Sequence, residues 1–372
     1  MKSDESPRPR RLPVQIILVL CLFVPMLVSS FPDPSQSVPG VRIPGEVASG
    51  INQSARSLLS ALSQEQREKI HFSATPGAGG SEALSNWSYF PGERPGLKLN
   101  DMTAQERVLA QRLVRSALSD TGHLKWNAIV ALEDVLRMMS ARDNRSGKPD
   151  PSRDPGLYTF AIFGDPAADA PWGWRVEGHH ISIKFLLEGD RVLSSTPAFL
   201  GAAPTVPLMG PNTGTEILDE EEELALALMK SLSPEQREIA IQQGGLPRDV
   251  VTGPGHPGTP DAVGIRLDKL DSSQKILLDT LIDSHLGILN SPIEEAEKTR
   301  ITDANIDEIR FAWWGPLDKE MRHAYRIQGP TFVVELVRTA GDPGHVHIVR
   351  RDPDRDLDGS PLLQHLQQAH GE

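Results

Sequence analysis

Cysteine is nearly missing from this chain. The single one among 372 residues, Cys21, sits in an apolar stretch near the N-terminus, and Leu22 and Phe23 follow it, which is not the setting of a lipoprotein cysteine. Beyond that stretch there can be no disulfide, no thiolate ligand and no cysteine nucleophile, so stability has to come from the core. Positive charge is also short. The formal net charge is −12, aromatics make up 5% of residues, and no Lys/Arg stripe interleaved with aromatics occurs in the body of the chain. Nucleic acid is therefore not expected as a partner, because phosphate binding needs a positive surface. There is no Gly-x-Ser-x-Gly elbow and no His-Glu-x-x-His. The Gly253-Pro254-Gly255-His256-Pro257-Gly258 stretch lacks the lysine and the strand-to-helix setting of a phosphate loop, and reads as an ordinary loop.

No apolar run reaches the roughly 20 residues that a spanning helix needs. The run at 14–28 is interrupted by Gln15 and Pro25. It follows Arg8, Arg10 and Arg11 and ends in Val28-Ser29-Ser30. Residues 1–30 thus read as a secretory signal cleaved before Phe31. Residues 31–45, rich in Pro, Ser and Gly, read as a linker. The expected location is secreted or periplasmic, in the cell envelope. A membrane enters only if the N-terminal segment stays uncleaved as an anchor.

What is present is an ordinary globular composition, 38% hydrophobic and 24% charged, long enough for two domains or one duplicated unit. The phrase Ser63-Gln64-Glu65-Gln66-Arg67-Glu68 returns as Ser233-Pro234-Glu235-Gln236-Arg237-Glu238. Each has a helix-capping residue with a Gln three positions later, a capping box. A second kind of box, Thr103 with Glu106, has its counterpart in Asp271 with Gln274. Helices follow at 126–139 and near 293–306. Strands then read at 158–164 and 174–187, and again at 309–315 and 325–337, with turns at Glu188-Gly189-Asp190 and near 341–344. The pattern predicts an α+β fold, internally duplicated, each half a helical segment followed by antiparallel hairpin strands, the halves packed as one pseudo-twofold unit. The halves span 46–200 and 219–366, joined by a Pro/Gly-rich connection at 201–218 and followed by a tail at 367–372. The acidic run 219–223 reads as the start of a helix capped by Asp219, its carboxylates favoured by the positive helix end.

The chemistry concentrates in the histidines. The strand pattern places His179 with Ile181, Ile183 and Phe185 on an apolar face and His180 with Ser182 and Lys184 on a polar one. A bulge at Gly178 would turn both rings the same way. In Gly344-His345-Val346-His347-Ile348, the two histidines project from one face. Two imidazoles two residues apart on a strand can chelate one ion, and a third ligand completes a catalytic-type site; His180, His179 and Glu335 are the candidates. His323 and His365 read as surface residues. Arg175 and Arg326 stand at matching positions beside Glu177 and Gln328, suited either to bracing strands or to holding a small anion.

These pieces resemble a family of secreted proteins, domain of unknown function 3500. The resemblance rests on Trp174-Arg175-Val176-Glu177-Gly178-His179-His180, Phe199-Leu200-Gly201, Glu235-Gln236-Arg237, Tyr325-Arg326-Ile327-Gln328-Gly329-Pro330 and His345-Val346-His347. It covers most of 50–365 and implies no known reaction. Members commonly carry Asn before the His-x-His strand and a Trp soon after it, where this chain has Gly344 and Arg350.

The resulting expectation is an exported metal-dependent enzyme, with a hydrolase expected over an oxidase only because hydrolysis is the commoner use of such sites. His180, His345 and His347, with His179 in reserve, would hold zinc, copper or iron, and Glu177 would serve as general base. The alternatives are a noncatalytic exported protein binding a metal or a small anion through Arg175, Arg326 and Gln328, and a structural envelope protein. Export is checked by N-terminal sequencing of protein recovered from cells. A start near Phe31 is expected, and full-length cytoplasmic protein would refute it.

Overall fold

Two runs of helices each lead into a run of strands, and the strands join in one sheet. The computed structural model describes residues 40–357, apart from 75–81, 144–146, 257–258 and 342–343. Residues 1–39, where a signal segment with Cys21 and most of a linker are expected, lie outside the described residues, as do His365 and the C-terminal tail. Helices α1 (Gly45–Ala61), α2 (Gln64–Ile70), α3 (Glu82–Ser85), α4 (Ala104–Ala117) and α5 (Asp120–Asp143) form the first helical run, and α6 (Asp219–Ser231), α7 (Pro234–Ala240), α8 (Ser272–Leu286) and α9 (Ser291–Asp303) the second. Short strands β1 (Val41–Arg42), β2 (His71–Phe72) and β3 (Leu97–Lys98) precede β4 (Thr159–Phe163), β5 (Trp172–Gly178), β6 (Ile181–Glu188), β7 (Arg191–Ser194) and β8 (Ala198–Ala202). The second set is β9 (Ile265–Arg266), β10 (Arg310–Trp314), β11 (Ala324–Gly329), β12 (Phe332–Arg338) and β13 (Val346–Arg351). Sheet order is β2-β4-β5-β6-β8-β13-β12-β11-β10-β9, with β3 on β4, β7 on β6 and β1 on β7. Among these pairings only β2 with β4 is parallel. The fold is α+β.

The capping chemistry sets the helix starts. Ser63, Thr103, Ser233 and Asp271 each accept the N–H of the residue three positions on, whose side chain returns a bond. The boxes also bond to one another: Gln66 Nε2 donates to Glu106 Oε2 and Gln236 Nε2 to Gln274 Oε1, both at 2.9 Å. Each pair locks two helix N-termini together. The turns α4–α5 and α8–α9 interlock in turn, with Ser119 N–H on Ile288 O and Asn290 N–H on Ala117 O, both 3.0 Å. Alternate strand residues such as Trp174, Val176, Ile183, Leu200, Leu336 and Ile348 pack with Ile51, Leu58, Leu113 and Leu281 of the helices in one core. The opposite face carries Phe199, Val337 and Val349 and is covered by Trp87, Tyr89 and Val250 from two loops.

Three expectations are corrected. Residues 174–187 are not one strand. Gly178 pairs with Ile181 across a two-residue turn made of His179 and His180, so face alternation does not pass through the histidines. Residues 325–337 break in the same way, with Gly329 paired to Phe332 across Pro330 and Thr331; Gly-Pro is a turn signal. Asp219 does not cap α6. It is the first helical residue, behind Leu218 at φ +65° with no side-chain cap bond. The acidic run is instead held by side chains from elsewhere: Lys319 sits among Glu216, Asp219 and Glu223, and Lys125 meets Glu221 at 2.6 Å. Finally, His323 is buried rather than a surface residue. Its ring stacks on Trp313 at 4.8 Å, and Nε2 lies 2.7 Å from Glu222.

His285 of α8 is buried with Nε2 2.8 Å from the Tyr325 hydroxyl. Burial, with Lys125 and Arg350 nearby, pushes its pKa down to about 3. An unfolded histidine titrates near 6.5. The unfolded state therefore binds the extra proton first. The stability tied to neutral His285 is complete above about pH 6.5 and is lost as pH falls from there toward about 3. Urea unfolding of wild type and His285→Gln across this range should show a shallower acid decline in the variant. Parallel declines would contradict the assignment.

Candidate metal centre

The site begins with the His179–His180 turn. A Cβ at Gly178 would stand 2.4 Å from Tyr158 Cδ1, so the turn can start only from glycine. His180 has φ +64°, a left-handed backbone that costs a non-glycine residue roughly 1–2 kcal/mol. Three bonds hold it there. His180 N–H donates to Tyr89 O at 3.0 Å, Gly201 N–H donates to His180 O at 2.8 Å, and the Tyr158 hydroxyl donates to His179 O at 2.6 Å.

Strand β8 then brings the other histidines to it. One edge of β8 pairs with β6 through Ile181 and Leu200, which puts His180 beside Gly201. The other edge pairs with β13, with His347 opposite the same Gly201. A Cβ there would lie 3.0 Å from Cδ2 of both His180 and His347. Glycine gives both rings room to lean over the strand. His345, two residues before His347, projects from the same face. His345 Nε2 lies 2.8 Å from His180 Nε2 and 2.8 Å from His347 Nε2. One ligand nitrogen from each of the three falls within 4.8 Å of the others. Bond lengths of 2.0–2.1 Å in a tetrahedral site place ligand nitrogens about 3.3 Å apart, so these rings can meet one ion with small rotations.

The surroundings favour a neutral imidazole at His180. His180 and His347 are 2% and 3% exposed, and His345 alone is partly exposed, which marks the solvent side. Burial, with His179, His347, His345 and Arg153 around it, holds the His180 pKa well below its ordinary value. His347 Nδ1 lies 2.6 Å from Asp249 Oδ1, which fixes the tautomer with the proton on Nδ1 and the Nε2 lone pair toward the cluster. Burial raises the pKa of Asp249, but contacts with His347, the Val250 N–H and the Tyr89 hydroxyl bring it below the ordinary aspartate range. Tyr89 donates to Asp249 Oδ2 at 3.0 Å, and its ring stacks on Phe199 at 3.9 Å.

The remaining candidates lie apart from the three nitrogens. His179 stacks on His180 at 3.7 Å, with Nδ1 2.5 Å from Glu133 of α5 and Arg153 2.8 Å away. Its ring is bonded to a carboxylate. Glu177 is buried and occupied by Ser88 N–H at 3.3 Å, the Ser182 hydroxyl at 2.9 Å and Arg94 at 3.3 Å. Arg175 donates to the backbone oxygens of Ala83, Asn86 and Pro95, the last two at 3.2 and 2.8 Å. Arg326 pairs with Glu335 at 2.7 Å, and Glu335 also accepts from Thr252 N–H at 2.8 Å. Gln328 donates to Pro260 O at 2.8 Å. Glu335 is thus committed away from the cluster.

Sequence reasoning missed Asp249, Glu133, Tyr89 and the part played by Gly201. Asp249 and Glu133 have no local signal, since their partners lie 98 and 46 residues away. Gly201 had one: a glycine inside an apolar strand marks a close approach. Gly201→Ala should fold, because a strand accepts alanine, yet push the two rings apart. Zinc affinity read by chelator competition should fall about tenfold or more, and Asp249→Asn should cost 10–100-fold. Unchanged affinity in both variants would contradict this geometry.

No curated protein and no solved structure matches the chain. A family match, described as "Protein of unknown function (DUF3500)", spans residues 44–359 and takes in both helical runs, the sheet apart from β1 and all three clustered histidines. The chain belongs to the DUF3500 family.

Proposed function

We propose that this protein is an exported metalloprotein that holds one transition-metal ion on His180, His345 and His347 and uses it for hydrolysis. The convergence of three imidazole nitrogens carries the reading, with Asp249 behind one ring as a ligand-orienting carboxylate. Three protein ligands with a fourth position left over is the count of catalytic rather than structural sites. Imidazole suits zinc, copper and iron alike. Such an ion supplies a Lewis acid and a bound water of lowered pKa. For proton handling the better candidate is His179, stacked on His180 and backed by Glu133, because the carboxylate of Glu177 is already engaged by Ser88, Ser182 and Arg94. The reading of an anion held by Arg175 and Arg326 has no support here, since both guanidiniums have protein partners.

Export is supported by the basic N-terminal residues and the apolar run ahead of Phe31. Internal duplication is the reading of the two sets of strands. It is supported by the matched turns at Gly178/Ile181 and Gly329/Phe332 and by the two bonded pairs of capping boxes. The pseudo-twofold axis would then pass between β8 and β13, and the turn Pro330-Thr331 would stand where the first half has its histidine pair.

Elemental analysis of the purified mature protein should give close to one equivalent of a transition metal. His345→Ala combined with His347→Ala should hold none. Zinc-loaded wild type should turn over at least one member of a panel of esters, amides and phosphoesters, and the double variant should not. Protein that takes up no metal at neutral pH would end the metal reading. Metal uptake without turnover on the panel would leave a binding protein in place of the hydrolase.

A further inference from the structure

Arg94 touches none of the three clustered histidines, yet it ties together the segments that aim two of them. Its Nη2 donates to the backbone oxygens of Gly178, at 3.1 Å, Ser88, at 3.2 Å, and Phe90. Its Nη1 donates to Gly92 O at 2.8 Å. Gly178 opens the turn that carries His180. Ser88 and Phe90 flank Tyr89, whose carbonyl accepts the His180 N–H and whose hydroxyl donates to Asp249, the carboxylate behind His347. The loop and the turn thus close a ring of bonds, and one guanidinium spans it. Glu177 completes the arrangement. One carboxylate oxygen lies 3.3 Å from Arg94 Nε, and the other accepts from Ser88 N–H and Ser182.

We infer that Arg94, with Glu177 as its counter-ion, is the positioning residue of the histidine centre, setting His180 through the Tyr89 carbonyl and His347 through the Tyr89–Asp249 bond. The inference rests on the metal reading. It assigns Glu177 a role in holding the loop rather than in moving a proton. Arginine is needed because a planar fork can serve several carbonyls at once, whereas a lysine ammonium on a flexible stem keeps the charge but not the geometry. The pair is almost completely buried, so its removal leaves carbonyls and a carboxylate without partners.

The test is Co(II) binding to the full mature protein, followed by visible absorption and by chelator competition. Wild type, Arg94→Lys and Glu177→Gln are compared with Arg355→Lys, a change to a buried arginine that pairs with Glu297 and Asp352. Arg94→Lys and Glu177→Gln should each bind Co(II) at least tenfold more weakly than wild type, with an altered ligand-field spectrum. Arg355→Lys should lower the unfolding midpoint while leaving affinity and spectrum in place. If Arg94→Lys fails to fold, Glu177→Gln carries the test. Wild-type affinity and spectrum in the folded Arg94 and Glu177 variants would overturn the positioning role while the metal reading stands. Equal losses in Arg355→Lys would overturn it as a mere stability effect. A wild type that holds no Co(II) would remove the metal reading and the positioning role together.

Discussion

The antiparallel contact of β8 with β13, at Gly201 opposite His347, is the constraint on which the rest depends. Neighbouring strands lie about 4.8 Å apart, so β6 and β13, separated by β8, are about 9.6 Å apart. Their side chains can meet only by leaning over the strand between, and any Cβ on that strand would stand in the way. Gly201 removes the obstacle for His180 and His347 together. The left-handed backbone of His180 turns its ring inward, β13 supplies His347, and His345 comes from the residue just ahead of that strand. The cluster therefore follows from backbone placement, at a seam where strands of both sets pair.

Covering that seam is expensive in charge. The sheet face away from the main core buries Arg175, Glu177, Lys184, Arg326, Glu335 and Arg351, and the loops over it are fastened largely by hydrogen bonds to these groups. Arg175 holds the oxygens of Ala83, Asn86 and Pro95, while Arg351 and Glu335 hold Thr252. Removing one partner of a buried pair costs about 3–5 kcal/mol, because the other is left uncompensated. Arg175 and Arg326, each three residues ahead of a glycine that opens a hairpin turn, are both accounted for by this bracing, which requires no ligand. Tyr89 and Asp249 come from the two covering loops and meet over the histidines, so loop fastening and site geometry are one problem.

Much of this was legible beforehand. Capping boxes depend on three-residue spacing, and all four were found where the spacing put them. The His345/His347 face followed from strand alternation, and its meeting with His180 from the paired hairpins. What escaped were matters decided by tertiary structure. An apolar run on both sides of Gly178-His179-His180-Ile181 looks like one strand until the turn is seen. His323 carries no local mark of burial; its neighbours Glu222 and Trp313 come from elsewhere in the chain. Glu177 was read as a free base because its sequence neighbours do not reveal Arg94, 83 residues earlier, or Ser88.

The most direct test of the central claim is a crystal structure of zinc-soaked protein with anomalous data collected across the zinc edge. The account predicts one anomalous peak, bonded at about 2.0–2.1 Å to nitrogens of His180, His345 and His347, with Asp249 still behind His347. A peak elsewhere, or none between these three rings at saturating zinc, would contradict it.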